Sequence, residues 1–303
     1  MILVLLLYAL FASVFTIAKT GLMVTEPLFF IGTRMTLAGI LMLAYEILKN
    51  PKTFVIPKNC IPKVFLLGLF NIYLTNAFEF WGLKFLTSSK TCFLYSFSPF
   101  LSALLCYFIF SEKLNLKKCL GLVVGFIGFL PILLHQSEAE ESAGHFFYFS
   151  WPELAVIAAT ICSAYGWIVL RQLVSDHQLK PMVANGCSML FGGMIALMHS
   201  YFSEQWSPVP VSNWSTFMEC TLLLIAISNI ICYNLYGHLL KKYTPTFMSF
   251  AGFTTPLFAA LFGWLYLGEV VSSQFYLSGA IVLVGLIIFN QEELKQGVRL
   301  ASN

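Results

Sequence analysis

The chain reads Ser98-Pro99-Phe100-Leu101 at one point and Thr255-Pro256-Leu257-Phe258 at another, and each segment is followed by a glutamate 13 residues after its proline. These glutamates are Glu112 and Glu269, and a glycine lies 16 residues beyond each of them. The two copies are separated by 157 residues. Because the copies agree in order and in spacing, the sequence predicts two similar halves, an organisation found in many secondary transporters.

The repeat extends upstream of these segments. Asn71 and Asn76 match Asn229 and Asn234 at a separation of 158 residues. A few matched residues carry little weight alone, but their agreement with the first offset favours duplication of the whole half.

Composition places the chain in a bilayer. Hydrophobic residues make up 58% and charged residues 10%, whereas a soluble domain is about 25% charged. Crossing the bilayer core takes about 20 apolar residues, and only helices satisfy their own backbone there. The sequence therefore predicts an all-α integral membrane protein with ten transmembrane helices. The predicted spans are residues 1–21, 27–48, 63–83, 87–110, 117–134, 153–174, 180–201, 216–239, 244–268 and 272–290.

Basic residues set the predicted orientation. Alternate loops and the C-terminal tail carry 13 of the 17 Lys and Arg residues, so these loops and both termini are expected in the cytoplasm. Residues 1–135 form the first five-helix repeat, 136–152 an acidic extracytoplasmic linker, 153–290 the second repeat and 291–303 a cytoplasmic tail. Because five spans is an odd number, the second repeat is expected to be inverted relative to the first.

Two charged residues lie within the predicted spans 3 and 4, counted in chain order. Charge inside the membrane costs about 2.5–3.5 kcal/mol per residue even on a lenient scale, so such residues need a reason to be there. Glu79 lies roughly 9 Å before the turn near residue 85 and Lys90 roughly 8 Å after it, so they can pair. Glu79→Gln and Lys90→Ala are each expected to abolish uptake and to leave expression intact. A structural ion pair, or a lysine that reaches the outer interface, is the alternative.

Further polar and aromatic side chains within the spans are candidates for lining a cavity. Hydrogen bonds between helices are the alternative role for the polar groups, and packing is the alternative for the aromatic groups. Aromatic faces can stack a planar ring or hold a cation. Besides Glu79 and Lys90, the predicted substrate-binding residues are Thr75, Asn76, Tyr95, Ser98, Phe15, Trp167, Asn229, Tyr233 and Asn234.

Five residues are predicted to have structural roles. Pro99 and Pro256 lie within helical patterns, where each frees a carbonyl group and can kink its helix. Glu112 and Glu269 are expected to stabilise helix termini. Arg34, in the middle of span 2, is expected to bond helix ends or carbonyl groups of the scaffold.

The pattern [Ser/Thr]-Pro-x(12)-Glu with a glycine-rich helix after it, present twice, resembles the EamA-type drug/metabolite transporter superfamily. Arg34 on the second span and a small-residue first span that ends at Lys19 are similar to it as well. The resemblance covers nearly the whole chain and implies a ten-helix carrier whose central cavity is lined by spans 1, 3, 4, 6, 8 and 9. The family usually has a small residue where Lys90 is found, which argues against a generic substrate. Residues 8–15, Tyr-Ala-Leu-Phe-Ala-Ser-Val-Phe, also resemble chlamydial-type S-adenosylmethionine carriers.

Several classes of protein are excluded by missing motifs. The chain contains no G-x-x-x-x-G-K-[ST] loop for ATP, no H-E-x-x-H and no G-x-S-x-G. Asp176 is its only aspartate, which excludes a two-aspartate membrane protease. No basic domain is present to bind nucleic acid. We therefore expect no catalytic residues, no metal and no cofactor.

These features together predict a secondary transporter of the bacterial inner membrane that moves a small organic metabolite by alternating access. A pair of opposite charges beside aromatic groups suits an amino-acid-like zwitterion. The narrower resemblance implies S-adenosylmethionine in exchange for S-adenosylhomocysteine. A proton-coupled exporter of amino acids or drugs is the first alternative, and a non-transporting membrane scaffold is the second. A channel would show a ring of repeated charges.

Overall fold

The computed structural model describes residues 2–49, 57–98, 100–101, 104–105, 116–134, 137–243, 248 and 251–301. Pro99 and Glu112, which help to define the sequence repeat, lie outside the described residues. Their predicted roles therefore stay predictions.

Helices dominate the described residues. They are α1 (Ile2–Leu22), α2 (Pro27–Lys49), α3 (Ile61–Leu67), α4 (Thr75–Phe85), α5 (Ser88–Tyr95), α6 (Leu116–Leu133), α7 (Glu138–Ser142), α8 (Trp151–Arg171), α9 (Pro181–Ser203), α10 (Trp214–Leu224), α11 (Tyr233–Leu239), α12 (Thr255–Leu267) and α13 (Ser273–Ala301). Pro27 and Pro181 open α2 and α9, in the first turn, where a missing N–H breaks no helical hydrogen bond.

Several short elements interrupt or connect these helices. Gly68–Leu74 and Ile225–Cys232 are π-helical and join α3 to α4 and α10 to α11, and a third π-helical turn, Gln172–Asp176, follows α8. The 3-10 turns Lys58–Cys60 and Gly252–Thr254 precede α3 and α12. Within the predicted linker 136–152, β1 (His145–Phe146) and β2 (Phe149–Ser150) form a small antiparallel hairpin, an addition to the predicted all-α fold.

Six helical stretches among the described residues are long and apolar enough to cross a membrane. They are Ile2–Leu22, Pro27–Lys49, Lys58–Phe85, Trp151–Asp176, Pro181–Ser203 and Trp214–Leu239. Shorter apolar helices occur at Cys119–Leu133, Gly252–Leu267 and Ser273–Ile288. The predicted class, an all-helical multi-pass membrane protein, is confirmed, whereas the count of ten spans stays a prediction.

The chain divides into two compact units that do not follow the two sequence halves. One unit comprises residues 17–81 and 162–241, and the other comprises residues 1–16, 82–161 and 242–303. Each unit therefore combines stretches from both halves. We name them the α2/α9 unit and the α6/α13 unit, after the helix pair on which each is built.

Close packing of α2 on α9 organises the first of these units. A Cβ atom on Gly39 would lie 2.6 Å from the backbone nitrogen of Leu190 and 2.9 Å from the carbonyl oxygen of Gly186. Only glycine fits at such a contact, and small residues at helix crossings are typical of membrane proteins. The same arrangement recurs in the α6/α13 unit, where a Cβ atom on Gly285 would lie 2.6 Å from the backbone nitrogen of Gly125.

Candidate functional site

The N-terminal π segment, Gly68–Leu74, is completed by two polar side chains that follow it. The Thr75 hydroxyl donates to the carbonyl oxygen of Phe70 at 2.7 Å, and the Asn76 amide donates to that of Ile72, also at 2.7 Å. A π helix interrupts the regular hydrogen-bond ladder of its helix, so nearby carbonyl groups need other donors. Segments of this kind are frequent at functional sites.

The C-terminal π segment, Ile225–Cys232, is completed in the same way. The Asn234 amide donates to the carbonyl oxygen of Ile230 at 2.8 Å and to that of Asn229 at 3.4 Å. Asn76 and Asn234, which the sequence repeat pairs at an offset of 158 residues, therefore make equivalent backbone contacts.

Arg34 of α2 lies at the centre of a buried polar cluster. Its side chain is 1% exposed, its Nη2 donates to the Oδ1 of Asn76, and its guanidinium group lies 4.6 Å from the centre of the Phe80 ring. A guanidinium group over an aromatic face gains a cation–π interaction, and the stacked ring also fixes its orientation. The sequence assigned Arg34 to the scaffold; the structure places it beside the predicted substrate-binding residue Asn76.

Glu79 and Tyr233 belong to the same cluster. Both act electrostatically on Arg34, and Tyr233 also interacts with the side chain of Asn76. Glu79 is 8% exposed and Tyr233 is 6% exposed. The cluster thus holds groups of opposite charge inside one helical unit, where low dielectric strengthens their interactions.

In the second half of the chain, a neutral residue donates to the equivalent asparagine, Asn234, as Arg34 does to Asn76. Asn185 of α9 donates through Nδ2 to the carbonyl oxygen of Tyr233 at 3.1 Å and to Oδ1 of Asn234 at 3.4 Å. Asn229 donates to the sulfur atom of Met35 at 2.9 Å. Methionine sulfur is a weak acceptor, so this contact contributes less than an oxygen acceptor would.

An aromatic group lies on α8 and α11. Trp167 stacks on Tyr236 with ring centres 4.1 Å apart and an angle of 29° between the ring planes. The ring of Tyr233 lies 5.2 Å from that of Trp167. Trp167 is half-buried, so part of this aromatic surface is accessible for contact with a planar or cationic ligand.

Lys90 has its partners in the α6/α13 unit. Its Nζ lies 2.6 Å from Oε2 of Glu140 in α7 and 2.7 Å from Oε1 of Glu153 at the start of α8. All three side chains are buried. One ammonium group is therefore shared by two carboxylates. The predicted pairing of Lys90 with Glu79, a residue of the other unit, stays a prediction.

Two further predicted binding residues contact one another in the α6/α13 unit. The rings of Phe15 and Tyr95 meet edge to face with centres 5.7 Å apart. Phe15 is buried, and Tyr95 is half-buried, as is Ser98. These residues form an aromatic contact with polar groups beside it, and any role in binding stays a prediction.

Pro256 and Glu269 of the second proline–glutamate segment have clear local positions. Both carboxylate oxygens of Glu269 accept from the backbone N–H of Ser88, at 2.9 and 3.0 Å, at the first residue of α5. Pro256 occupies the first turn of α12, directly after the 3-10 turn Gly252–Thr254. The predicted kink at Pro256 stays a prediction. A proline in the first turn removes no α-helical hydrogen bond.

Sequence reasoning missed several members of these clusters. Asn71 matched Asn229 in the repeat but was not proposed as a site residue, and Asn185, Tyr236 and Glu153 were not singled out. Asn185 carried a detectable signal, because an amide within an apolar span is costly unless it has a partner. Glu140 and Glu153, the partners of Lys90, gave a weaker sequence signal. Acidic residues close to the ends of spans are usually exposed to solvent.

Comparison with known proteins agrees with these features. The sequence profile of the family described as the EamA-like transporter family matches residues 1–134 and again residues 150–291. The chain is 37% identical, over 97% of its length, to a protein of Chlamydia muridarum named S-adenosylmethionine/S-adenosylhomocysteine transporter, and 92% of that protein is covered. A transporter of the same name from Chlamydia trachomatis serovar L2 is also 37% identical, with 97% of this chain and 89% of that protein covered.

A solved crystal structure shares the fold, with a TM-score of 0.67 over 98% of this chain and 96% of that one. The two sequences are 15% identical, so this likeness concerns the fold alone. The family profile is matched twice, which establishes a duplicated domain as the sequence repeat predicted. The chain therefore belongs to the EamA-like transporter family, so it carries a small-molecule substrate and is not an enzyme.

Proposed function

We propose that this protein exchanges S-adenosylmethionine for S-adenosylhomocysteine across the bacterial cytoplasmic membrane. The observation that carries the proposal is the 37% identity to chlamydial transporters of these two compounds, spread over 97% of this chain. Two inverted five-helix repeats would support alternating access. The excess of Lys and Arg in alternate loops supports an orientation with both termini in the cytoplasm.

The α2/α9 unit contains side chains with the chemistry that such substrates require. Both compounds carry an α-ammonium group, an α-carboxylate and an adenine ring. Arg34 and Glu79 offer opposite charges, and the stacked pair of Trp167 and Tyr236 offers an aromatic face. Opposite charges complement a zwitterion, and aromatic faces attract planar rings and sulfonium cations. The predicted binding residues Thr75, Asn76, Asn229 and Asn234 would shape the polar surroundings.

The charge difference between the two substrates makes the exchange electrogenic. The sulfonium group gives S-adenosylmethionine one positive charge that S-adenosylhomocysteine lacks, so a one-for-one exchange moves one net charge. A membrane potential of 100 mV is worth about 2.3 kcal/mol per charge, which equals roughly a 50-fold concentration ratio. Uptake of S-adenosylmethionine should therefore increase when the vesicle interior is made negative.

Counterflow in proteoliposomes tests the proposal. Vesicles that contain the purified protein and unlabelled S-adenosylhomocysteine should accumulate labelled S-adenosylmethionine, whereas vesicles without internal substrate should not. An inside-negative potential set by valinomycin and a potassium gradient should raise the initial rate. Absence of counterflow with both compounds would reject the proposal.

The same vesicles separate the alternatives. A proton-coupled exporter of amino acids or drugs would respond to an imposed pH gradient without any need for internal S-adenosylhomocysteine. A non-transporting scaffold would give no protein-dependent flux with any compound of a metabolite panel.

A further inference from the structure

Arg34 carries hydrogen-bond donors that no described residue satisfies. Its side chain is 1% exposed, yet neither Nε nor Nη1 has a hydrogen-bond partner within the described part of the chain. Arginine stays charged at any pH relevant to proteins. Burial of a charged group whose donors lack acceptors is energetically costly, so these donors are expected to have an acceptor in some state of the protein.

The neighbours of Arg34 hold the guanidinium group in place without neutralising it. Asn76 accepts from Nη2, and Phe80 covers one face of the group at 4.6 Å. Glu79 acts on Arg34 electrostatically. The group is thus oriented by neutral contacts, and its Nε and Nη1 donors have no acceptor among the described residues.

Other unsatisfied polar groups accompany it in the same unit. Both amide atoms of Asn71 and the Oδ1 atom of Asn229 are buried and have no hydrogen-bond partner among the described residues. Asn71 lies in the π segment that Asn76 completes, and Asn76 is the residue that contacts Arg34. Several unmet donors and acceptors in one helical unit indicate a place where a polar ligand binds.

We propose that Arg34 binds the α-carboxylate of the transported substrate. A carboxylate is the anion whose planar geometry matches a guanidinium group, and the charge-assisted hydrogen bonds between them are about twice as strong as neutral ones. The inference rests on the proposed function, because it assumes a substrate with an amino-acid portion. Glu79, in the same cluster, would face the positive groups of that substrate.

A substrate analogue tests this inference without any change to the protein. Decarboxylated S-adenosylmethionine keeps the adenine, the sulfonium and the amine but has a hydrogen in place of the carboxylate. Wild-type protein in proteoliposomes should require at least tenfold more of this analogue than of S-adenosylmethionine to inhibit counterflow by half. Equal inhibition by the two compounds would overturn the role of Arg34 and leave the exchange function intact. Absence of counterflow altogether would overturn the exchange function itself.

Substitution of Arg34 sharpens the test. Arg34→Gln should raise at least tenfold the concentration of S-adenosylmethionine that inhibits counterflow by half. The concentration of the decarboxylated analogue should stay unchanged, so the preference for the carboxylate should disappear. Lys241→Gln removes an exposed positive charge from the same unit and should keep the full preference. If Arg34→Gln retains the wild-type preference for the carboxylate, the inference is refuted. If that variant does not fold, the comparison of analogues on the wild-type protein still decides.

Discussion

The N-terminal and C-terminal π segments are stabilised by the same asparagine-to-backbone hydrogen bonds. They differ in the residue that donates a hydrogen bond to that asparagine. In both, an asparagine side chain returns to carbonyl groups four and five residues earlier. In the N-terminal segment this asparagine also accepts from Arg34, whereas in the C-terminal segment it accepts from the neutral Asn185. The shared part belongs to the fold, and the difference is one of charge.

The same contrast extends along the two halves. At the repeat offsets, Glu79 corresponds to Gly237 and Lys90 corresponds to Phe247. Because the two copies build equivalent elements, a charge found in one copy alone is not required by the elements that the copies share. The charges of Glu79 and Lys90 therefore distinguish the first half of the chain from the second.

The largest loss of stability is expected from substitution of Lys90, a charge that the second half of the chain lacks. Lys90→Ala leaves the carboxylates of Glu140 and Glu153 buried without the ammonium group that they share. Removal of one partner from a buried ionic group costs about 3–5 kcal/mol. The variant should show a strong loss of folded protein in fluorescence-detected size-exclusion chromatography, in contrast to the sequence-based expectation that expression stays intact.

A second substitution identifies the cause of that loss. Adding Glu153→Gln to Lys90→Ala removes one of the two uncompensated charges and should restore a large part of the stability. Lys58→Ala, at an exposed position, is the control for loss of a positive charge. Wild-type stability of Lys90→Ala would show that these contacts contribute little.

The next effect compares the two asparagines directly. Asn76→Ala removes an acceptor from a buried guanidinium group as well as a donor to the π segment, whereas Asn234→Ala loses only neutral contacts. Hydrogen bonds to charged groups are worth about 1.5–3 kcal/mol and neutral ones about 1 kcal/mol. Asn76→Ala should therefore lower the free energy of unfolding by about 1–2 kcal/mol more than Asn234→Ala, as measured by denaturation in detergent micelles. Equal losses of unfolding free energy would show that the contact with Arg34 adds no stability to the N-terminal π segment.

The spacing of residues in the sequence predicted the repeat, the helical membrane class and the correspondence of Asn76 with Asn234. It did not predict that both lie next to π segments, because an apolar helix has the same composition whether its ladder is α or π. The sequence also could not predict the partners of Lys90, because the choice between Glu79, Glu140 and Glu153 depends on how elements distant in the sequence pack together. Arg34 was assigned to the scaffold because its unsatisfied donors become apparent only when its neighbours are placed.

The smallest effect concerns Glu269, the glutamate of the C-terminal repeat segment. Its carboxylate accepts from the N–H of Ser88 at the start of α5, where a negative charge also interacts favourably with the helix dipole. Glu269→Gln keeps one acceptor oxygen and loses the charge, so the expected loss is about 0.3–1 kcal/mol, read as a small fall in the midpoint of thermal unfolding. Glu219→Gln, at an exposed position on α10, should leave the midpoint unchanged. A loss of several kcal/mol at Glu269 would mean that its charge is needed by more than the end of one helix.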